Sequence, residues 1–397
     1  MHQKVRWCFR CGVFVAVAAV LVSAVVVAPD AQGAAPGLSD SAVLAHVPAR
    51  SHRWGAHVAR LQTALAQAPA DQSLALALAR SYLWRARTLG DARALAYAET
   101  VLLPWLRADP LSPDVAVTYA SALSTRHRFG PALALLDDAL DQKPEDAQAL
   151  YLRASIHTVL GQFDEAESGC DQLGERLGAS RRALCLAPVW LMRGRTQQLR
   201  SALAPLASNA TARDTAALAH SLLADLALWS NDLDAAERHC RAALTHAPED
   251  RYTRILYADL LLETDRPRLV LEQTRASEDD ALSLRAALAA VALGHPDAAA
   301  LIDRARALLG PSDEPALHLR EQARLELATA GDARKALRLA RASFAIQREA
   351  WDVRVLLEAA LAAKDRGAAR PALAFLRKHG TDLPRLVELA RAVERLP

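Results

Sequence analysis

From about residue 50 to the end, apolar side chains recur every three or four positions and rarely alternate, the periodicity of helices with one buried stripe. Segments of ten to fifteen residues are separated by short breaks rich in Gly, Asp, Asn and Pro. No stretch has the two-residue period of a strand. The pattern predicts an all-α chain in which every helix is followed closely by another.

The helices repeat. Pro144-Glu145-Asp146 and Pro248-Glu249-Asp250 each follow an Ala-Leu pair at the same interval, and each precedes a new helical stretch. In a 34-residue frame these tripeptides close units 113–146 and 217–250, with further units at 147–180 and 251–280. Small residues fall in step at Ala120, Ala154, Ala224 and Ala258 on the first helix of each unit. On the second helix the matching positions are Ala132, Ala166, Ala236 and Val270. Small side chains at a helix crossing let the backbones approach while larger neighbours fill the flanks. The turns carry matching chemistry: Gly90-Asp91-Ala92-Arg93 recurs as Gly331-Asp332-Ala333-Arg334, with variants at Gly161 and Asn231. Gly or Asn suits the left-handed residue that ends a helix, and Asp suits the cap of the next, as at Asp146 and Asp250.

This 34-residue period, with small residues at its eighth and twentieth positions and a proline near its end, resembles the tetratricopeptide repeat. The resemblance implies a right-handed superhelical solenoid of antiparallel helix pairs. It is strongest at 113–178 and 217–260, and degenerate pairs extend it over 51–397 as one solenoid, since no single pair buries its own face. It also implies that first helices line a concave groove that grips a peptide or a protein. In that register Ser121, Tyr151, Ser155, Asp225, Trp229, Tyr252 and Asp259 are the candidate groove contacts. The lysine–asparagine clamp with which some members hold a terminal carboxylate is missing, and Asp225 and Asp259 would repel such a group.

Residues 1–33 change the picture of location. Lys4, Arg6 and Arg10 precede an apolar run from Gly12 to Ala28, and Ala31-Gln32-Gly33 offers the small residues of a cleavage site. We expect a signal peptide cut before Ala34, followed by a linker at 34–50. The alternative is an uncleaved inner-membrane anchor, because the run approaches spanning length. Either way the bulk of the chain is expected outside the cytoplasm, periplasmic or secreted. Without the leader, 45 basic residues face 44 acidic ones, so no nucleic-acid partner is expected. Charge is nonetheless uneven: 131–180 carries ten acids against Lys143, Arg153 and Arg176, whereas 313–397 is net positive. An acidic middle steers a basic partner, or is simply a solvated face.

Export bears on the cysteines. Cys170 and Cys185 fall on helices that a stacked array places side by side, which suggests a disulfide; the alternative is two buried thiols. Cys240 reads as an unpaired core residue. His239, Cys240 and His246 do not form a metal motif, since no HExxH or paired Cys/His spacing is present. No nucleophile elbow or phosphate loop occurs, and Asp137-Asp138 and Asp279-Asp280 diverge around their helices. No cofactor, small-molecule substrate or catalysis is therefore expected. The leading expectation is an exported interaction scaffold. Its rivals are a membrane-anchored subunit of an envelope complex, an enzyme with an unrecognised site, and a structural subunit whose groove is filled by its own chain or by another copy.

Overall fold

Why these segments become helices is visible in their ends. In the computed structural model, which describes residues 51–397 apart from 109, 210, 311–316 and 330, carboxylate side chains of Asp71, Asp91, Asp146, Asp232, Asp250, Asp279 and Asp332 accept hydrogen bonds from the first free backbone amides of the helices that follow them. The expected leader at 1–33 and linker at 34–50 lie outside the described residues.

Twenty α-helices and no strand make up the described residues. A single helix, α1 (Ser51–Gln67), precedes nine pairs. These are α2 (Gln72–Leu89) with α3 (Ala92–Leu102), α4 (Pro113–Thr125) with α5 (Phe129–Gln142), and α6 (Ala147–Val159) with α7 (Phe163–Leu177). Next come α8 (Ala179–Met192) with α9 (Thr196–Ala207), α10 (Arg213–Trp229) with α11 (Leu233–His246), and α12 (Arg251–Glu263) with α13 (Pro267–Thr274). The last three are α14 (Asp280–Leu293) with α15 (Ala298–Leu309), α16 (Leu319–Ala328) with α17 (Ala333–Ile346), and α18 (Ala350–Ala362) with α19 (Arg370–His379); α20 (Pro384–Glu394) ends the array. Each helix packs on the next as far as α19, each first helix also packs on the first helix of the following pair, and α20 packs on α18, which makes the described residues an all-α solenoid.

The eight in-step positions sit where the two helices of a pair cross. Ala120, Ala132, Ala154, Ala166, Ala224, Ala236, Ala258 and Val270 are all 1% exposed or less. Between α6 and α7 the approach is so close that a Cβ on Gly169 would lie 3.0 Å from that of Ala154. No helix among the described residues is long and apolar enough to cross a membrane.

The turn inside a pair is closed the same way almost throughout. A residue with positive φ ends the first helix, and the next amide bonds back to the carbonyl five residues earlier, as in Gln162 N to His157 O at 2.8 Å and Arg195 N to Trp190 O at 2.8 Å. Gly161, Gly194, Asn231 and Gly294 occupy this left-handed position, but so do His127, Asp265 and Lys364. Gly331 does not. Its own amide closes back on Glu326 O at 3.1 Å, so the match to Gly90 is in sequence only.

The coil returns on itself. The C-terminal turn of a first helix meets the start of the first helix six pairs further on. Gly90, after α2, abuts Asp279, the cap of α14. At the end of α6, the carbonyl of Val159 accepts from Arg348 N at 2.8 Å and that of Leu160 from the Arg348 guanidinium at 3.3 Å, just ahead of α18. At the end of α8, Met192 O accepts from the Thr381 hydroxyl at 2.5 Å, just ahead of α20. Helix ends leave carbonyls without intrahelical partners, and here the next turn supplies their donors. Gly161 is fixed by this return as well as by its φ of +72°, because a Cβ there would sit 2.6 Å from the ring of Phe375.

Candidate functional site

The inward faces of the first helices should be exposed if the groove were open along its length. Instead they carry a buried chain of charges. Asp259 on α12 is 2% exposed and takes Arg285 of α14 at 2.6 and 3.0 Å and Arg324 of α16 at 2.7 Å. Burial works against its charge, but the two guanidinium groups outweigh it and hold the carboxyl well below the usual carboxylate range. Arg251 bridges Asp279 and Asp280, and His318 lies 3.4 Å from Asp280. Burial lowers the His318 imidazole to about 4. Arg320 pairs with Glu321 at 3.1 Å and with Glu349 and Asp352 at 3.3 Å. Arg354 and Arg385 both reach Glu263, at 2.5 and 3.0 Å, tying α18 and α20 to the end of α12.

Where α18 faces α8 and α10, a cavity of about 80 Å³ remains. Ala187, Pro188, Leu191, Met192, Leu199 and Leu222 form its apolar side; Asp225, Trp229 and Tyr252 line it from α10 and α12, and Arg348, Glu349 and Trp351 from the returning turn. The Trp229 and Trp351 rings meet edge to face at 5.1 Å. Asp225 Oδ2 accepts from the Tyr252 hydroxyl, while no group donates to Oδ1 with hydrogen-bonding geometry. Burial pushes the Asp225 carboxyl up to about 7, against the Trp229 indole beside it and helped by the charge of Asp259. Glu349 is raised as well, by burial first and then by Asp352, with Arg320 opposing.

The structure thus brings Asp225, Trp229 and Tyr252 together at one cavity, with Asp259 next to them in the ion network. Ser121 stands apart on α4, 2% exposed, where its hydroxyl and carbonyl accept from Arg87. On α6, Tyr151 and Ser155 are half-buried; the Ser155 hydroxyl donates to Tyr151 O at 2.9 Å, and burial raises the Tyr151 phenol. Cys170 of α7 and Cys185 of α8 are bonded, their Cα atoms 5.6 Å apart. Cys240 is a buried free thiol that burial, then Asp225 and Glu237, pushes up. His239 turns to His220, with their Nδ1 atoms 2.9 Å apart, and not to a metal set. Among the described residues no group of three or more His, Cys, Asp or Glu is placed to hold a metal ion.

The comparisons bear on one part of this array directly. Residues 123–183 match the tetratricopeptide repeat family. That segment runs from the end of α4 into α8 and includes the whole of α5, α6 and α7, so the tetratricopeptide match covers the stretch that carries Tyr151, Ser155 and Cys170. No curated protein matches the chain in sequence. Among solved structures it is similar to the APC/C hetero-tetramer Cut9–Hcn1, at 14% identity and a TM-score of 0.47, covering 82% of this chain and 63% of that one. This chain thus spans under two thirds of that structure's length. It is also similar to yeast Tom70 (14% identity, TM-score 0.40, 86% and 85% covered) and to a tetratricopeptide repeat protein from Parabacteroides merdae ATCC 43184 (15%, 0.35, 80% and 99%).

Sequence reasoning missed the partners of the inner wall. Arg285, Arg320, Arg324, Arg348, Glu349 and Trp351 were not among the groove candidates: Arg285 and Arg324 reach Asp259 from the next two pairs, while Arg348, Glu349 and Trp351 come opposite α8 and α10 only because the coil returns. The signal that pointed to them was charge: the C-terminal third is net positive, and its arginines answer carboxylates at Asp259 and Glu263.

Proposed function

We propose that this chain is an exported scaffold for protein–protein contacts, holding a peptide or a segment of a partner protein along the inner wall of its solenoid. The observation that carries the reading is the set of half-buried polar and aromatic side chains on first helices, Tyr151 and Ser155 on α6 and Tyr252 on α12, in an array that matches the tetratricopeptide repeat over residues 123–183. Tyr side chains bury large area at low entropic cost and are favoured anchors at interfaces. Self-packing by α16 to α20 narrows the space, so the partner segment is a single extended strand of chain and not a folded domain. The Cys170–Cys185 bond supports export, since such bonds persist in oxidising compartments. No catalytic role is assigned.

A photo-reactive residue in place of Tyr151 or Tyr252 should cross-link a partner in living cells, whereas the same residue at Glu175, exposed on α7, should not. Equal yields from all three positions, or none from the inner pair, would overturn the reading. The N-terminus of the purified chain tests export: Ala34 is expected, and retention of residues 1–33 would favour the membrane-anchored subunit.

A further inference from the structure

We propose that the outer face of the solenoid docks on the same face of a second copy of this chain, the cationic helices α17 and α19 of each copy lying against the acidic helices α5 and α7 of the other. This surface is on the far side of the helix pairs from the inner wall. The contact leaves the groove open and does not depend on what the groove holds.

Second helices form the outer layer, and most of them mix their charges. Helices α3, α11 and α13 each carry equal numbers of acids and bases. Four others do not. Helix α17 holds four bases and α19 three, neither with an acid, whereas α5 holds three acids and no base and α7 five acids and one base. Some of these charges are used within the chain, as Lys335 with Glu326 at 2.7 Å and Asp137 with Arg153 at 3.1 Å. Arg334, Arg338, Arg341, Arg370 and Lys378 are exposed and form no ion pair among the described residues. The same holds for Asp138 and Asp141 on α5 and Glu165 on α7.

The return of the coil sets the two signs one above the other. The end of α19 meets the start of α7, where the His379 and Phe163 rings lie 4.6 Å apart and those of Phe375 and Phe163 5.9 Å. Phe344 of α17 meets Phe375 at 5.8 Å, so α17 and α19 are side by side. Charge therefore changes sign along this side of the molecule, at the seam between turns. Helix α7 has 15 residues and α19 has 10. At 1.5 Å per residue, helices of that length meeting end to end have midpoints roughly 20 Å apart. That exceeds the Debye length of about 8 Å at physiological salt, so the two halves do not neutralise each other within one chain.

A partner for this side must carry both signs. A uniformly anionic surface, a bilayer or a nucleic acid, would be drawn to the arginines and repelled by the acids beside them. A second copy, turned about a two-fold axis through the seam, sets acids on bases and bases on acids at both ends at once. Single exposed ion pairs are weak, so the contact relies on several in register. Because each copy uses the same face, association closes at two.

The test is the mass of the full chain in solution by light scattering. Dimers are expected at about 0.01 M salt, where charges act over about 30 Å, and monomers at about 1 M, where they act over about 3 Å. The triple variant Arg338→Glu, Arg341→Glu, Arg370→Glu should be monomeric at low salt, and so should Asp138→Lys, Asp141→Lys, Glu165→Lys. Mixing these two variants should restore a dimer of unlike chains. A monomeric parent at low salt, a mixture of folded variants that stays monomeric, or growth beyond two copies would each overturn the proposal. Circular dichroism reports whether each variant is folded; if one is not, the mass and salt dependence of the unaltered chain decide alone. Phosphatidylglycerol vesicles that capture the chain and lose it on the arginine substitutions would assign the face to a lipid surface and also overturn the dimer. In cells, products cross-linked through this face have twice the mass of the chain, which separates them from adducts with a partner held in the groove.

Discussion

Ala224 and Asp225 are neighbours in sequence, as are Ala258 and Asp259, yet they answer to different parts of the molecule. Each alanine faces its own pair and is buried because two helices cross there, a contact made within about thirty residues. Each aspartate faces inward and is covered by other pairs, Asp259 by Arg285 of the next pair and Arg324 of the one after, and Asp225 beside Glu349 of the returning turn. Arg324 lies 65 positions beyond Asp259, and Trp351 packs on Trp229 across the cavity. A repeat array is usually stable through nearest neighbours alone. This one adds a second set of contacts between turns, in which arginines, carboxylates, helix-end carbonyls and aromatic rings join the apolar packing.

If the charged interior matters as the geometry implies, Asp259→Leu should have the largest effect. It strands Arg285 and Arg324 in a buried site, and loss of one partner of such a set costs about 3–5 kcal/mol. Urea unfolding that shifts by under about 1 kcal/mol would mean that water reaches the network freely. The lateral stack has its own lever in the bond between α7 and α8. Replacing Cys170 and Cys185 by Ala opens a loop whose ends are 15 residues apart and should cost about 3 kcal/mol in the same assay.

Gly161→Leu separates the two kinds of contact. The side chain would be forced onto a left-handed backbone and into Phe375, for a loss of about 2 kcal/mol. Hydrogen exchange should rise in α18 to α20 and stay unchanged in α2 and α3; uniform change would show that turns and pairs open as one unit. Asp225→Asn acts through pH. The folded carboxyl titrates near 7 and the unfolded one near 3.9, so between those values the folded state keeps a proton that the unfolded state has released. Stability from this group is therefore present below about pH 4 and is lost as pH rises through 7. The variant should gain melting temperature over the parent at pH 8 relative to pH 5, and a constant difference would refute the sign. Smallest is Lys364→Gly at an exposed left-handed turn, expected to stabilise by about 0.5 kcal/mol.

The helix pairs were legible because their determinants are local. In-step alanines, the Pro-Glu-Asp tripeptides and the capping aspartates each act within one repeat, and they specify the solenoid between them. Left-handed turns at Gly161 and Asn231 could be read for the same reason, whereas His127, Asp265 and Lys364 could not, since only the surrounding repeat forces their backbone. The inner wall was half legible. The register placed Asp225, Trp229, Tyr252 and Asp259 on one face, but gave no hint that Arg324 or Trp351 would cover that face. How tightly a solenoid curls is the sum of many small rotations between pairs, and no motif records it.

The return of the coil also divides the risk of mutation unevenly between its two sides. At Val159, Leu160 and Met192 the acceptors are main-chain oxygens, which every amino acid possesses, whereas the donor groups of Arg348 and the Thr381 hydroxyl belong mainly to side chains. Sequence drift at the earlier positions leaves their half of each bond in place, while a single codon change at 348 or 381 removes the donor to Leu160 O or to Met192 O and spares only the main-chain bond from 348 to Val159 O. Over long divergence, the record of how this molecule closes should survive in its last fifty residues and fade from the segment they close upon.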